Sequence, residues 1–209
     1  MPEIVAPMDI EKRSFEIITE LLGDRSLDPE NEAIIKRVIH TSADFDYADT
    51  LTFSEHAVSK GIAALQAGCD IVTDTQMAKA GINKNVLGSL GGEVHCFMSD
   101  PDVTAEAKAR GITRAIVSME KAAKLPKQCI YAIGNAPTAL FALRELRDKG
   151  MLTNAALIIA VPVGFVNVAE SKELIIGSDI PYIAARGRKG GSTIAAAICN
   201  AMLYRIKRE

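Results

Sequence analysis

From residue 69 onward, short and almost continuously apolar runs alternate with segments of helical period. CDIVTD (69–74), EVHCFM (93–98), QCIYAIG (128–134), ALIIAVPV (156–163) and YIAAR (182–186) are each of strand length. Their lack of polar alternation fits strands covered on both faces. TAEAKARGITRAIVSMEKAAK and APTALFALRELRDKG, lying between them, read as helices. Strand and helix in series require right-handed crossovers and a mostly parallel sheet. The first third differs, with three amphipathic helices predicted before the first strand. Residues 9–23 place Ile10, Ile17, Ile18, Leu21 and Leu22 broadly on one side, with Asp9 as N-cap and Gly23 as stop. Residues 28–40 pack through Ile34, Ile35, Val38 and Ile39, and residues 54–68 form a helix capped by Ser54 and ended by Gly68. The expected fold is therefore α/β. A mostly parallel sheet of about five strands carries helices on both faces, with the N-terminal helices added. No repeat or linker divides the chain, so residues 1–209 are read as one domain.

Composition narrows the function classes. The chain is 48% hydrophobic, enough to build a sizeable core. A net charge of −2 and the absence of Trp argue against a nucleic-acid surface. No apolar run approaches the roughly 20 residues that span a bilayer. The opening MPEIVAPMDIEKRS lacks the basic and apolar regions of a secretory signal. Cys69, Cys96, Cys129 and Cys199 are widely spaced without a CxxC pair, as expected of reduced, buried thiols in a cytoplasmic protein.

In an open parallel sheet, ligands bind beyond the carboxyl ends of the strands. Four segments there are richer in Gly, Pro, Asn and charge than simple connections need: DTQMAKAGINK, GNAPTALF, PVGFVNVAESK and RGRKGGS. In the last, Gly187, Gly190 and Gly191 permit close backbone approach, and Ser192 is a candidate cap for the following helix. Arg186, Arg188 and Lys189 flank that helix start, so the loop reads as an anion cradle. Gly134 and Asn135 lead into a second helix start at Ala136–Pro137. The plainer alternative for both loops is a turn that only joins strand to helix. Neither matches GxxxxGK[ST] or GxGxxG, so a nucleotide is poorly supported. Separated donors suit a ligand bearing several carboxylates better than a triphosphate.

Three histidines compete for chemistry. His56 falls in the first turn of a helix and reads as solvated or capping, while His95 lies within a strand. The H-x-C of His95 and Cys96 is too little for zinc. His40 closes a helix and leads into TSADFD, open at this point to three readings: a cap favoured by the helix dipole, a metal ligand, or a proton donor. Arg13, Arg114 and Lys172 read as solvated charges, Met77 and Phe165 as core, and Asp74 as a cap for the helix near Thr75.

Taken together, VIHTSADFD, TDTQMAKAGINK, GNAPTALF, PVGFVNVAESK and GRKGGSTIAAAICNAMLY resemble the precorrin-8X methylmutase family, in order and over nearly the whole chain. HTSADFD, TDTQMAKAGINK and GRKGGS are closer to its cobalt-precorrin-8 branch than to the metal-free one. The resemblance implies an isomerase that moves a methyl group from carbon 11 to carbon 12 of a corrinoid, with no cofactor and no protein-bound metal. Cobalt would enter only inside the substrate. It also implies a homodimeric α/β protein and makes His40 the proton source. Arg13, Ser14, Thr41, Asp74, Met77, Arg114, Gly134, Asn135, Lys172, Arg186, Arg188, Gly190, Gly191 and Ser192 match family positions around the pocket. The carboxylate-rimmed apolar disc of a corrinoid would account for both the anion cradles and the apolar residues among them. One departure stands out: Asn167–Val168 occupies a turn where many family members carry small residues. A non-catalytic corrinoid carrier of the same pathway is the alternative function.

Overall fold

The computed structural model describes Ala6 and residues 9–207. Its elements run α1 (Ile10–Leu22), α2 (Glu32–Ser42), α3 (Tyr47–Thr50), β1 (Leu51–Phe53), α4 (Ala57–Gln66), β2 (Asp70–Thr73), α5 (Gln76–Gly81), α6 (Lys84–Ser89) and β3 (Val94–His95). They continue with α7 (Pro101–Arg110), α8 (Arg114–Ala122), β4 (Cys129–Ile133), α9 (Pro137–Asp148), β5 (Ala155–Ala160), α10 (Val168–Ile176), β6 (Tyr182–Ala185) and α11 (Ser192–Ile206). The sheet has six strands in the order β1-β6-β5-β4-β2-β3. Every neighbouring pair is parallel except β1 with β6, where Leu51 faces Ala185.

The five expected strands are present, and β1 is the addition. Three residues are too few to carry a period, so β1 exists only because β6 offers it an edge. The expected strand 93–98 shrinks to two residues, Val94 and His95, at the opposite edge. The long helical pattern after residue 103 is broken at Gly111, which takes φ 64°, and Thr113 then caps α8 by accepting from the Ile116 N–H.

Alternate residues of the central strands feed two separate cores. Ile71, Ile130, Leu157, Ile159 and Ile183 face α2, α4 and α11. Val72, Tyr131, Ile133, Ile158 and Ala184 face the layer of α8, α9 and α10. Burial on both faces explains the unbroken apolar runs. All four cysteines are buried and unpaired, and burial pushes the Cys69 and Cys129 thiols up to about 12. No helix among the described residues is long and apolar enough to cross a membrane.

Two expected caps are replaced. Asp9 makes no side-chain cap bond to α1, although Gly23 ends it with φ 59°. Ser54 does not cap α4; its Oγ accepts from the Tyr182 N–H and extends the β1–β6 pairing. His56 instead occupies the entry to α4 at φ 56°, exposed beside Glu30.

The order of the strands locates the site. The chain leaves β2 for β3, then returns across β2 to β4, so connections diverge between β2 and β4. Such a reversal is where an α/β sheet opens a crevice at its carboxyl edge.

Candidate active site

Four strand ends meet at that edge, and the contacts are close. Asp74, which follows β2, is 1% exposed and reaches across to the loop after β4. One carboxylate oxygen accepts from the Gly134 N–H at 2.9 Å, and the other from Asn135 at 2.8 Å and Ala136 at 2.6 Å. Burial pushes this carboxyl upward and the three N–H donors pull against it. Both oxygens face only donors, so the carboxylate is the form that fits. Capping of α5 falls to Thr75, whose Oγ1 accepts from the Ala78 N–H, and Asp74 is committed to backbone instead.

The loop after β6 seats against the same place. A Cβ on Gly134 would lie 2.8 Å from the Ser192 Cα, and one on Gly190 would lie 2.1 Å from the Val161 carbonyl oxygen. Only glycine permits either approach. Gly191 takes φ 136°, and its N–H donates to the Val161 carbonyl. Gly191, and not Ser192, is the N-cap of α11. Ser192 Oγ instead shares a 2.8 Å hydrogen bond with Thr75 Oγ1, joining the β2 and β6 loops.

α2 ends beside this edge, and the segment that follows it reaches the β6 loop. The helix stops at Ala43 (φ 55°), whose N–H donates to the Ile39 carbonyl. Thr41 and Ser42 fold their hydroxyls back onto the Arg37 and Val38 carbonyls. Asp44 and Asp46 then each accept from Lys189 Nζ at 2.6 Å, which ties the end of α2 to the β6 loop. Lys189 holds the Asp44 carboxyl below its usual range, against a smaller effect of burial. The His40 ring is exposed and stacks on Phe15 of α1, with centroids 5.4 Å apart and planes 26° apart. Arg37 lies over the other neighbourhood of Phe15, 4.8 Å from its centroid, and pairs with Glu11.

The remaining expected residues divide into three groups. Arg114, Gly134, Asn135, Arg186, Arg188, Gly190, Gly191 and Ser192 lie at the strand ends or on segments bonded to them. Arg114 donates to the Met98 carbonyl at 3.2 Å, while neighbouring Thr113 bonds Thr138 in the first turn of α9. Arg13 and Ser14 sit on α1 beside Phe15; Arg13 pairs with Glu16 and Glu20, and Ser14 bonds its own helix. Met77 is 67% exposed and Phe165 is 86% exposed, so neither is the core residue its type suggested.

Lys172 corrects the expectation of a solvated charge. It is 0% exposed, and Nζ donates to the Gly187 carbonyl at 2.9 Å and the Lys189 carbonyl at 2.8 Å. Burial pulls its ammonium down to about 8. Lys172 and Asp74 thus offer no exposed surface to a ligand and shape the loops that do. Phe15, Thr75 and the Asp44–Lys189–Asp46 bridge escaped the sequence reading. Only the bridge left a trace, in the spacing DFD set against a basic loop elsewhere.

Among the described residues, no group of three or more His, Cys, Asp or Glu is placed to hold a metal ion. A cavity of about 390 Å³ lies between α1, α2 and the far end of α11, lined by Phe15, Arg37 and Tyr204. Exposed apolar residues Met77, Val163, Phe165 and Val166 lie on the segments that follow β2 and β5.

Comparison with known proteins agrees with this architecture. A family model described as precorrin-8X methylmutase matches residues 9–205. The chain is 46% identical to the cobalt-precorrin-8 methylmutase of Salmonella typhimurium, covering 99% of each chain. It is 39% identical to the precorrin-8X methylmutase of Pseudomonas aeruginosa, covering 92% of this chain and 93% of that one. A solved precorrin-8X methylmutase from Thermus thermophilus superposes with a TM-score of 0.85 at 36% identity, over 94% of this chain and 96% of that one. The chain belongs to the precorrin-8X methylmutase family and is an isomerase of cobalamin biosynthesis.

Proposed function

We propose that the protein moves a methyl group from carbon 11 to carbon 12 of cobalt-precorrin-8 or precorrin-8, giving cobyrinate or hydrogenobyrinate. The observation that carries this reading is the meeting of the β2, β4, β5 and β6 ends, with exposed Arg186, Arg188 and Lys189, beside the end of α2 that carries exposed His40. The substrate's peripheral carboxylates would spread over the exposed Asn135 side chain and the Arg186–Ser192 segment, since Asp74 already takes the Gly134 and Asn135 N–H groups. Its apolar face would lie against exposed Met77 and Phe165.

The reaction is intramolecular. The bond from the methyl group to carbon 11 breaks as its bond to carbon 12 forms, and no external methyl donor or redox partner takes part. The imidazolium of His40 lends a proton to the conjugated system or stabilises the rearranged product, and the proton is returned when product forms. The Phe15 stack orients the ring for this transfer.

The working unit under this reading is a homodimer, with a mouth wide enough for a macrocycle. The greater identity to the cobalt-precorrin-8 relative favours a cobalt-containing substrate, the metal arriving as part of the ligand. His40→Ala should abolish turnover, followed by the change in absorbance on mixing with substrate, while corrinoid binding persists. Undiminished conversion by that variant would remove His40 from the mechanism. Metal analysis of the corrinoid bound on purification distinguishes the two substrates.

A further inference from the structure

The loop between β6 and α11 is held from beneath by a cation that meets no acid. Lys172 Nζ takes the carbonyls of Gly187 and Lys189, and the Gly164 N–H takes the intervening Arg188 carbonyl at 3.3 Å. Three successive carbonyls are thereby drawn toward protein donors. Arg186, Arg188 and Lys189 remain exposed, with Arg186 paired to Glu173 and Lys189 to Asp44 and Asp46. No carboxylate is paired with Lys172 among the described residues, and its side chain is fully buried.

A buried ammonium without a counter-charge is a poor stabiliser of a fold. An apolar side chain of the same length would fill the space at lower desolvation cost. Its value lies in where it sends the carbonyls. A loop that binds carboxylates must direct N–H groups and cations toward the ligand and its own carbonyl oxygens away. Left free in an exposed, glycine-rich segment, those oxygens would turn to water and toward an incoming anion.

We propose that Lys172 is a positioning residue: it clamps the Gly187 and Lys189 carbonyls inward so that the Arg186–Ser192 loop presents only donors and cations to the substrate, and it does not touch the substrate itself. This rests on the reading that a carboxylate-rimmed corrinoid binds at this edge. It reassigns a residue whose type and sequence position suggest direct anion contact.

The test compares the full-length protein with Lys172→Met, which keeps the length and removes the donors, and Lys172→Gln, which keeps an N–H donor on a shorter stem. Trypsin cleaves after Arg186, Arg188 and Lys189, so the rate of nicking there reports the clamp without any ligand. Titration with hydrogenobyrinate reports the cradle. For Lys172→Met, nicking at the loop should rise about tenfold and hydrogenobyrinate affinity should fall about tenfold, the scale of one or two lost hydrogen bonds. In turnover, KM should rise with kcat little changed, and the melting temperature should stay near the wild-type value. Lys172→Gln should recover part of the protection and part of the affinity together.

Lost affinity with wild-type nicking would overturn the proposal in favour of direct contact. Unchanged nicking and affinity in Lys172→Met would overturn it outright. Failure of the wild-type protein to bind hydrogenobyrinate would count against the functional reading instead, and the nicking comparison would still decide the clamp. Should Lys172→Met not fold, Lys172→Gln must show the same paired changes, and their absence refutes the clamp.

Discussion

Asp74→Asn tests the idea that one buried carboxylate holds the crevice between β2 and β4. The wild-type group accepts three backbone N–H bonds of 2.6 to 2.9 Å while 1% exposed. An asparagine has one acceptor oxygen. Turned toward Asn135 and Ala136, it keeps two bonds at neutral strength and sets its NH2 against the Gly134 N–H. The loss comprises one charge-assisted bond, about 1.5–3 kcal/mol, and one buried donor left unsatisfied, about 1–3 kcal/mol. The total is about 2.5–6 kcal/mol, a large part of the roughly 5–15 kcal/mol typical of a folded domain. Urea denaturation followed by circular dichroism should show the midpoint fall with little change in slope. A loss below about 1 kcal/mol would refute the reasoning, because it would mean that the native acid already sits protonated and asparagine mimics it. At temperatures where the variant stays folded, corrinoid affinity should fall as well, since Gly134 and Ser192 are in backbone contact.

Other perturbations follow from the same contacts. Gly190→Ala places a Cβ 2.1 Å from the Val161 carbonyl oxygen, backbone that cannot yield like a side-chain tip. It should cost about 1–3 kcal/mol and displace the loop, seen as lowered melting temperature and weakened corrinoid binding. Lys172 also predicts a pH dependence. Its folded ammonium titrates near 8 and its unfolded one near 10.5, so the unfolded chain binds more protons between these values and stability rises with pH there. The gain is about 3 kcal/mol at most. Cys69 and Cys129, pushed up to about 12, act oppositely above pH 9. The measurable quantity is therefore the stability of wild type minus that of Lys172→Met, which should rise from pH 8 to 10; a constant difference would contradict the burial argument.

Much of the architecture was legible in the chain. Strands covered on both faces must be apolar at nearly every position, so residues 69–74, 128–134 and 156–163 announced themselves and fixed the parallel class. The rule that parallel sheets bind ligands at their carboxyl edge then pointed to loops that the fold does bring together. Glycine at 190 marked close backbone approach by its type, whereas Gly187 and Gly191 meet no close backbone neighbour and serve their positive φ of 75° and 136° instead.

What the chain concealed is pairing between distant segments. Nothing local tells that a three-residue stretch at Leu51–Phe53 finds an edge on β6, or that Ser54 spends its hydroxyl there and not on a helix. Residue type described Asp74 as a cap and Lys172 as a surface charge, because a lone carboxylate or ammonium is ordinarily solvated. Folding buries both beneath loops about 60 and 15 residues away, where only backbone groups can satisfy them. The sequence by itself determined the sheet, its edge and the family to which the chain belongs. The tertiary structure alone decided which charged groups stay exposed and which are buried to hold the loops, because burial depends on what the rest of the chain brings alongside.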